Sequence, residues 1–178
     1  MSGTRRRALL GVLLGCALGV MAAAGRPEGP APPGPRAGGA QEVEVVGLLM
    51  NPDGRQPTVV LQGKRDGRTF GMVIGPAEAT GIALPLNNVK PPRPLTHDLF
   101  LTLFGRLNVS LKKVVITDLR DDIYYATVYL SSANGEMTLD SRPSDAIALA
   151  IRAKAPVFAE DRVFEKSPRP GPPDAPRI

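Results

Sequence analysis

A short corner of the sequence gathers side chains that can do acid–base or phosphate chemistry. The stretch LDSRPSDAIAL contains Asp140, Arg142, Ser144 and Asp145 within six positions. A guanidinium beside the free amides at the start of a helix is suited to binding a phosphate group. Helix initiation is the competing explanation, because Ser and Asp favour a helix start without any ligand. The sequence leaves both uses open, and an arginine–aspartate salt bridge is the simpler one.

The two uses divide the residues of this corner between them. Pro143 and Ser144 are enough to start a helix. Asp140 and Arg142 are then left over, and holding two charges in one corner is costly unless they are paired or bound. We therefore hypothesise that Arg142 and Asp145 serve a ligand site in addition to a structural one, with the structural contribution the larger.

A second candidate is the pair His97 and Asp98. His97 is the only histidine in the chain, and an imidazole near a carboxylate can act as a general base or bind a metal ion. Adjacent residues of a helix do not face each other, so these two cannot form a dyad through their proximity in sequence. One histidine without a nearby cysteine is also a weak signal for zinc. Helix capping and surface pairing remain the competing uses.

Carboxylates suited to a hard divalent cation are scattered over the same segments. Oxygen ligands for Mg²⁺ or Mn²⁺ could come from Glu78, Asp98, Asp140 and Asp145. Nothing in their spacing shows that they converge, so a metal site is an expectation that only the fold can support. The sequence contains no G-x-S-x-G, no Walker loop and no H-E-x-x-H, which leaves no signature of the common hydrolase and nucleotide-binding sites.

The elements that must position these residues follow from apolar periodicity and turn signals. Strands are predicted over residues 42–50, 57–63, 69–75, 110–119, 123–132, 136–140 and 155–160. Helices are predicted over residues 76–88, from His97 onward, over 143–154, and as a final turn or two over 160–166. The order is β-β-β-α-α-β-β-β-α-β before that last turn. Strands in runs, separated by helices, indicate an α+β fold with a mixed, largely antiparallel sheet packed by helices in a single domain.

Two of the predicted helices carry further signals. Thr96 is placed to cap the helix that begins at His97. An apolar stripe then follows at helical spacing, the pattern of a helix packed on a core; it consists of Phe100, Leu103, Phe104 and Leu107. In the preceding helix, Pro85 leaves the position of the C-terminal end open.

The first 24 residues have the three-part layout of a secretory signal peptide. Arginines at positions 5–7 precede an apolar run over residues 8–21 and three alanines over 22–24. The run is too short for an ordinary membrane-spanning helix. Cleavage after Ala24 would fit this layout. The competing interpretation is a lipid anchor, because Leu13-Leu14-Gly15-Cys16 resembles a bacterial lipobox with Cys16 as the lipidated residue. Either way the protein is expected to be exported to the periplasm or the cell exterior.

Two segments flank a body of ordinary domain size. Ten of the sixteen residues over 25–40 are Gly or Pro, so this segment cannot bury enough apolar surface to offset its ordering entropy and is expected to be a disordered linker. The Pro-rich residues 167–178 are expected to form a disordered tail. The folded domain is therefore expected over residues 41–166.

Charge and cysteine content limit the functions open to this body. The whole chain carries a net charge of +5, whereas residues 42–165 contain 14 Lys and Arg against 15 Asp and Glu, a net charge of −1. A body this close to neutral lacks the broad basic field typical of nucleic-acid binders. The only cysteine is Cys16, so the body has no thiol for a disulfide, a nucleophile or a cysteine-based zinc site.

Several segments together resemble the bifunctional nuclease domain family. They are IGPAEATGIAL, PRPLTHDLF, ITDLRDDIYYATVYL, LDSRPSDAIALAI and AKAPVFAEDRVFE, and the similarity spans about Val43 to Glu165. The chain departs from the family in two places: Lys154 stands where a glycine before Ala-Pro is usual, and the segment 85–88 alters the end of the first helix. Neither departure touches the candidate polar residues.

The resemblance implies an α+β fold and cleavage of both DNA and RNA without sequence preference, as in characterised plant relatives. Together with the signal layout it indicates a bacterial source. Carried over by motif, the catalytic candidates are Glu78, His97, Asp98 and Asp145. The substrate-binding candidates are Arg142 and Ser144, and the candidate ligands for Mg²⁺ or Mn²⁺ are Glu78, Asp140 and Asp145. A homo-oligomer is a further expectation. The alternative function is a non-catalytic binding or scaffold module of the cell envelope that keeps the same fold.

Overall fold

The computed structural model describes residues 39–50, 54 and 56–168, which belong to one compact unit. Seven strands form one sheet: β1 (Ala40–Met50), β2 (Pro57–Gly63), β3 (Thr69–Val73), β4 (Ser110–Arg120), β5 (Ile123–Ser132), β6 (Gly135–Ser141) and β7 (Val157–Glu160). Four helices accompany it: α1 (Pro76–Leu86), α2 (Thr96–Arg106), α3 (Pro143–Ala153) and α4 (Asp161–Lys166). The predicted α+β fold and order of elements are confirmed.

The short strand β7 joins two antiparallel meanders into one sheet. The strand order is β3-β2-β1-β7-β4-β5-β6. β7 pairs with β1 in antiparallel fashion and with β4 in parallel fashion, and every other pairing is antiparallel. Because β7 follows α3, this helix is the connection that returns the chain from the β6 edge to the centre of the sheet. The start of α3 therefore lies where β6 ends.

The hydrophobic core fixes α1 and α3 against the sheet. Ile82 of α1 and Ile147 of α3 are fully buried in the same cluster as Phe70, Ile116 and Val128 of the strands. Four apolar residues of α3 are buried or partly buried: Ala146, Ile147, Ala150 and Ile151. Burying a large aliphatic side chain stabilises a fold by about 1.5–3 kcal/mol. This packing holds the first turns of α1 and α3 in fixed positions.

A hydrogen bond from another helix allows α1 to continue past Pro85. The helix continues past Pro85 to Leu86, although Pro85 has no N–H to donate to the carbonyl of Gly81. The guanidinium of Arg152 in α3 supplies that donor, with Nη1 2.6 Å from the Gly81 oxygen. The proline is therefore tolerated inside α1 because Arg152 satisfies the carbonyl that it leaves free.

Two expectations about α2 were wrong. Thr96 is the first helical residue and makes no capping bond; Leu95 precedes the helix, and the carboxylate of Asp98 accepts the Leu95 N–H at 2.8 Å. The apolar stripe does not pack on the core as a whole, since only Phe104 is partly buried against it. Phe100, Leu103 and Leu107 are exposed. α2 has a second apolar face that periodicity alone could not distinguish from the inner one.

The end of α3 shows the consequence of the departure at Lys154. This residue caps the helix in the left-handed conformation, with φ 54° and ψ 35°. A side chain at such a position costs about 1–2 kcal/mol relative to the right-handed region, a cost that glycine does not carry. Lys154 therefore holds a conformation that a glycine would adopt without this cost.

The predicted signal peptide, Pro/Gly-rich linker and Pro-rich tail lie outside the described residues, apart from residues 39, 40, 167 and 168. The lipid-anchor position Cys16 is also outside them. No helix in the described part of the chain has the length and apolar character needed to cross a membrane.

Candidate active site

The polar candidates meet at one open cleft. It has a volume of about 710 Å³ and lies between the first turns of α1, α2 and α3 and the end of β6. Its charged and titratable lining residues are Glu78, His97, Asp140, Arg142 and Asp145. These residues come from four different elements, so only the folded chain brings them together. A concave site with converging polar groups is the usual form of a ligand or active site.

Arg142 is the centre of the polar end of this cleft. It directly precedes α3, and its guanidinium holds both oxygens of Asp145, with Nε 2.7 Å from Oδ2 and Nη2 3.2 Å from Oδ1. Its Nη1 donates to Glu78 Oε1 at 3.0 Å. One guanidinium thus links a carboxylate of α1 to a carboxylate of α3, which is the arrangement of planar bidentate recognition.

The guanidinium of Arg142 keeps capacity for a further ligand. The side chain is 66% exposed, and of its five N–H donors three are engaged by Asp145 and Glu78, which leaves two. The hydrogen bonds that Arg142 donates to Asp145 raise the pKa of Arg142 above its ordinary value, and the Glu78 carboxylate adds to this shift. Arg142 is therefore a permanent cation with two free donors at the mouth of the cleft.

His97 contributes one nitrogen to the site. Its Nε2 lies 3.5 Å from Asp145 Oδ1, slightly beyond the ordinary range of a hydrogen bond. Its Nδ1 is buried and has no hydrogen-bond partner among the described residues. Nε2 is the ring nitrogen on the side of Asp145 and the cleft, so it is the nitrogen that can exchange a proton there.

Asp140 stands apart from the network of Arg142. It lines the cleft from the exposed edge strand β6. Within the described part of the chain its carboxylate makes no ion pair or hydrogen bond, whereas Glu78 and Asp145 both bind Arg142. Asp140 is thus the carboxylate in the cleft that can hold a water molecule or a cation without first releasing the guanidinium.

Asp98, although adjacent to His97, does not line the cleft. Its carboxylate accepts the backbone N–H of Leu95 at 2.8 Å and Nε of Arg152 at 2.9 Å. Burial acts to raise the pKa of Asp98, but the bonds from Leu95 and Arg152 outweigh it and hold that pKa below its ordinary value. Asp98 therefore fixes the start of α2, the helix that carries His97, and acts on the site through position.

Ser144 also lies outside the cleft lining. It is buried in the first turn of α3, so its hydroxyl is not placed beside the free donors of Arg142. The structure brings Glu78, His97, Asp140, Arg142 and Asp145 together in the cleft. Ser144 and Asp98 do not line it.

Arg152 was not among the candidates predicted from the sequence, but it has a central position in the structure. Its side chain is 8% exposed and donates to the Asp98 carboxylate and to the carbonyls of Gly81 and Ala148. It ties the three helices that surround the cleft to one another. The available signal was Pro85, because a proline four residues after Gly81 leaves a carbonyl that needs a donor from elsewhere.

The expected ligands for a divalent cation do not form a ready set. Among the residues that the structure describes, no group of three or more His, Cys, Asp or Glu side chains is placed to hold a metal ion. Glu78 and Asp145 are instead occupied by Arg142. The carboxylate oxygens have the right chemistry for Mg²⁺ or Mn²⁺, but their arrangement does not fit one, so metal use stays a prediction.

The net charge of the cleft affects how readily a phosphate can bind there. Three carboxylates face one guanidinium there, so with a neutral His97 the polar end carries a net charge of −2. Three other basic side chains of the body are engaged elsewhere: Lys64 pairs with Glu42, and Arg65 and Arg68 pair with Asp161. A phosphate can therefore approach through Arg142, but a further cation would ease its entry.

The sequence is similar to a protein family and to several individual proteins. The sequence profile of the bifunctional nuclease domain matches residues 59–170. Two proteins of Mycobacterium tuberculosis, both named as uncharacterized, are 37% identical over 126 residues, which is 71% of this chain and 75% of theirs. Bifunctional nuclease 1 of Oryza sativa subsp. indica is 33% identical over 81 residues, 44% of this chain and 24% of its own length. Bifunctional nuclease 2 of Arabidopsis thaliana is 26% identical over 128 residues, 59% of this chain and 39% of its own.

Proposed function

Because the chain belongs to the bifunctional nuclease domain family, we propose that it hydrolyses phosphodiester bonds of DNA and RNA, without sequence specificity, in the cleft between α1, α2, α3 and β6. The matched plant relatives are named bifunctional nucleases, and the matching region covers less than two fifths of their length. The family therefore supports the class of reaction, and the geometry of the cleft supports the place where it occurs.

The observation that carries this proposal is the position of Arg142. Its side chain is 66% exposed at the cleft and keeps two N–H donors without a partner among the described residues, beside the carboxylates of Asp145 and Glu78. A guanidinium held in this way can bind two oxygens of a phosphodiester and offset the charge that develops in the transition state. Asp145 and Glu78 keep the planar group in one orientation, so little reorganisation is needed when the substrate binds.

His97 handles the proton in this scheme. Its Nε2 is the imidazole nitrogen on the side of the cleft, and Asp145 Oδ1 lies 3.5 Å from it. General acid–base transfer by a positioned imidazole contributes about 10²–10⁴-fold to a rate. Asp98 supports this function as a positioning residue, because its bonds to Leu95 and Arg152 fix the start of α2.

Asp140 is proposed to hold the attacking water. It is the cleft carboxylate that Arg142 does not engage. A divalent ion in this region would supply Lewis-acid polarisation of the phosphate. No step of the proposal passes through such an ion, because the described carboxylates are not arranged to hold one. Dependence on Mg²⁺ or Mn²⁺ is therefore tested separately from the activity itself.

The test is a nuclease assay on the purified protein with single-stranded DNA, duplex DNA and RNA, each with and without EDTA. The proposal expects cleavage of DNA and RNA that disappears in the His97→Ala protein prepared in parallel. Cleavage that is equal in the variant and the original protein would mean that the activity does not depend on His97, and it would come either from a contaminating nuclease or from a site that does not use this residue. Loss of activity in EDTA, restored by Mn²⁺ or Mg²⁺, would establish metal use. Activity that persists in EDTA would show that the reaction does not need a divalent ion, and it would be compatible with the nuclease proposal.

A second function is favoured by the charge and polarity of the cleft. Its polar end has a net charge of −2, and a large part of its wall is apolar, with Phe100, Phe104 and Leu139 among the lining residues. These features suit a non-catalytic binding or scaffold module better than a phosphate site. Absence of cleavage under every metal condition, with the protein folded, would favour this alternative.

Export to the periplasm or the cell exterior is part of the proposal. It is supported by the signal-like residues 1–24. N-terminal sequencing of the protein recovered from the producing cell decides it: a start at Gly25 indicates cleavage, and a blocked, lipid-modified start at Cys16 indicates an anchor. A chain that keeps Met1 in the cytoplasm would contradict export.

A further inference from the structure

A large apolar surface lies beside the cleft, on α2 and β6. Six large apolar side chains of these two elements are each between 42% and 65% exposed. They are Leu99, Phe100, Leu103, Leu107, Met137 and Leu139. We call this set the α2–β6 surface. It contains more than half of the eleven exposed large hydrophobic residues in the described part of the chain, so exposed apolar area is concentrated in one place.

The apolar area of this surface is large for a monomer. Six such side chains, about half exposed, leave on the order of 500 Å² of apolar area, near the upper end for the largest patch of a soluble monomer. A standard protein–protein interface buries about 800 Å² on each partner, part of it polar. The α2–β6 surface can therefore supply the apolar centre of an interface of ordinary size.

The two parts of the surface border the same cleft, and the strand part lies on an edge strand. Leu99, Leu103 and Leu107 are spaced by four residues along one stripe of α2. Phe100 from α2 and Leu139 from β6 both line the cleft, so a partner placed over the cleft can reach both parts of the surface. β6 is the last strand of the sheet, so one row of its backbone N–H and C=O groups has no strand beside it. Such an edge is a template for pairing with another chain.

Charge decides which partner this surface fits. Within α2 and β6, Arg106 is the only Lys or Arg side chain, against the acidic Asp98, Glu136 and Asp140. Nucleic acid binds through several Lys and Arg contacts to phosphates, and these are missing here. A second copy of the chain offers the same apolar face. In a two-fold symmetric contact, each protomer presents one patch to the identical patch of the other.

We propose that the α2–β6 surface is the interface of a symmetric homodimer. The exposed stripe of α2 and the outer edge of β6 pack against the same elements of the partner. Because Phe100 and Leu139 belong both to this surface and to the cleft lining, the partner closes the apolar side of the cleft. The polar end, with Arg142 and His97, stays open to solvent. The dimer is inferred from this surface alone and does not depend on the proposed nuclease activity.

The test is sedimentation velocity of the purified full chain over a range of protein concentrations. The proposal expects a dimer, and it expects Leu103→Asp to weaken dimerisation by at least about 30-fold, as for an interface residue whose truncation costs 2 kcal/mol or more. Val73→Asp is the matched control. Val73 is also exposed, at 56%, but lies on β3, at the opposite edge of the sheet, so this variant should remain dimeric.

A second measurement on the unchanged protein does not depend on a variant that folds. Hydrogen exchange of β6 and α2 amides should slow as the protein concentration rises, while exchange in β3 stays constant. A chain that sediments as a monomer up to about 100 µM, where even weak dimers form, would overturn the proposal. So would a Leu103→Asp protein that dimerises as strongly as the original. Protection that follows added oligonucleotide instead of protein concentration would assign the surface to nucleic acid and also overturn it.

Discussion

The imidazole of His97 lies directly against the backbone of Gly81. A Cβ atom at position 81 would be 2.9 Å from Cε1 of the ring and 3.3 Å from Nδ1. Gly81 sits inside α1, where a residue without a side chain lowers helix stability by about 1 kcal/mol relative to alanine. The close approach explains why the chain tolerates glycine there: the missing side chain leaves room for the ring whose Nε2 faces Asp145.

The first prediction follows from this contact. Gly81→Ala must displace the ring of His97, and misplacement of a catalytic group lowers activity, so nuclease activity should fall by about tenfold or more. The free energy of unfolding should change by less than about 1 kcal/mol, because the higher helix propensity of alanine offsets the cost of the steric contact between its Cβ and the ring of His97. Gly105→Ala is the control, since nothing lies within 4 Å of a Cβ at that position in α2. It should stabilise the protein slightly and leave activity unchanged. Equal activity in both variants would contradict the proposed role of His97.

The second prediction compares two arginines by chemical denaturation. Arg152 is buried and bonds to Asp98 and to the carbonyls of Gly81 and Ala148. Arg152→Ala should cost roughly 3 kcal/mol, because it breaks a largely buried ion pair and leaves carbonyls without a donor. Arg142→Ala should cost less than about 1 kcal/mol, as expected for an exposed ion pair. A loss of stability in Arg142→Ala as large as in Arg152→Ala would make the cleft arginine a structural residue.

The third prediction concerns pH. The pKa of Asp98 lies below its ordinary value because the bonds from Leu95 and Arg152 outweigh the effect of burial. A carboxyl whose pKa is lower in the folded state stabilises the protein above its unfolded pKa of about 3.9, and this stability is lost as the pH falls through the folded value. Asp98→Asn should thus be less stable than the original protein at pH 7, and the difference should shrink below about pH 4. Urea denaturation at several pH values measures it, and a difference independent of pH would refute the linkage.

The fourth prediction concerns the left-handed residue at the end of α3. Lys154→Gly removes the steric cost of φ 54° and should raise the free energy of unfolding by about 1 kcal/mol. Lys154→Ala keeps a Cβ in the same conformation and should bring no such gain. Thermal denaturation of the two variants, side by side, tests whether the departure from the family's glycine costs stability. If the alanine variant gains as much as the glycine variant, backbone strain is not the cause.

The order of the elements could be predicted from the sequence because the turns and the two periodicities are distinct. Alternating and continuous apolar runs predicted the strands, and apolar residues at helical spacing, such as Phe100, Leu103 and Phe104, predicted a helix. The alternation could not show that the four residues of β7 lie between β1 and β4. That pairing depends on contacts between distant parts of the chain, which no local pattern encodes.

The candidate site was predictable in part, through residue types more than through spacing. Arg142 and Asp145 are three residues apart at the start of a helix, so their pairing follows from local geometry. The link from Arg142 to Glu78 joins residues 64 positions apart, and only the fold reveals it. The partner of Asp98 was hidden for the same reason, since Arg152 lies on another helix. The sequence did not show which apolar face of α2 is buried against the core, because periodicity shows that a face is apolar and does not show what covers it.

The most direct test of the account compares the nuclease activity of Arg142→Ala with that of Arg65→Ala. Both arginines are exposed and pair with an aspartate, but Arg65 lies outside the cleft. If Arg142 holds the phosphate, its removal should lower kcat/KM by about 100-fold or more, while Arg65→Ala stays within about twofold of the original protein and both variants remain folded. Equal activity in the two variants would contradict the placement of the reaction at Arg142.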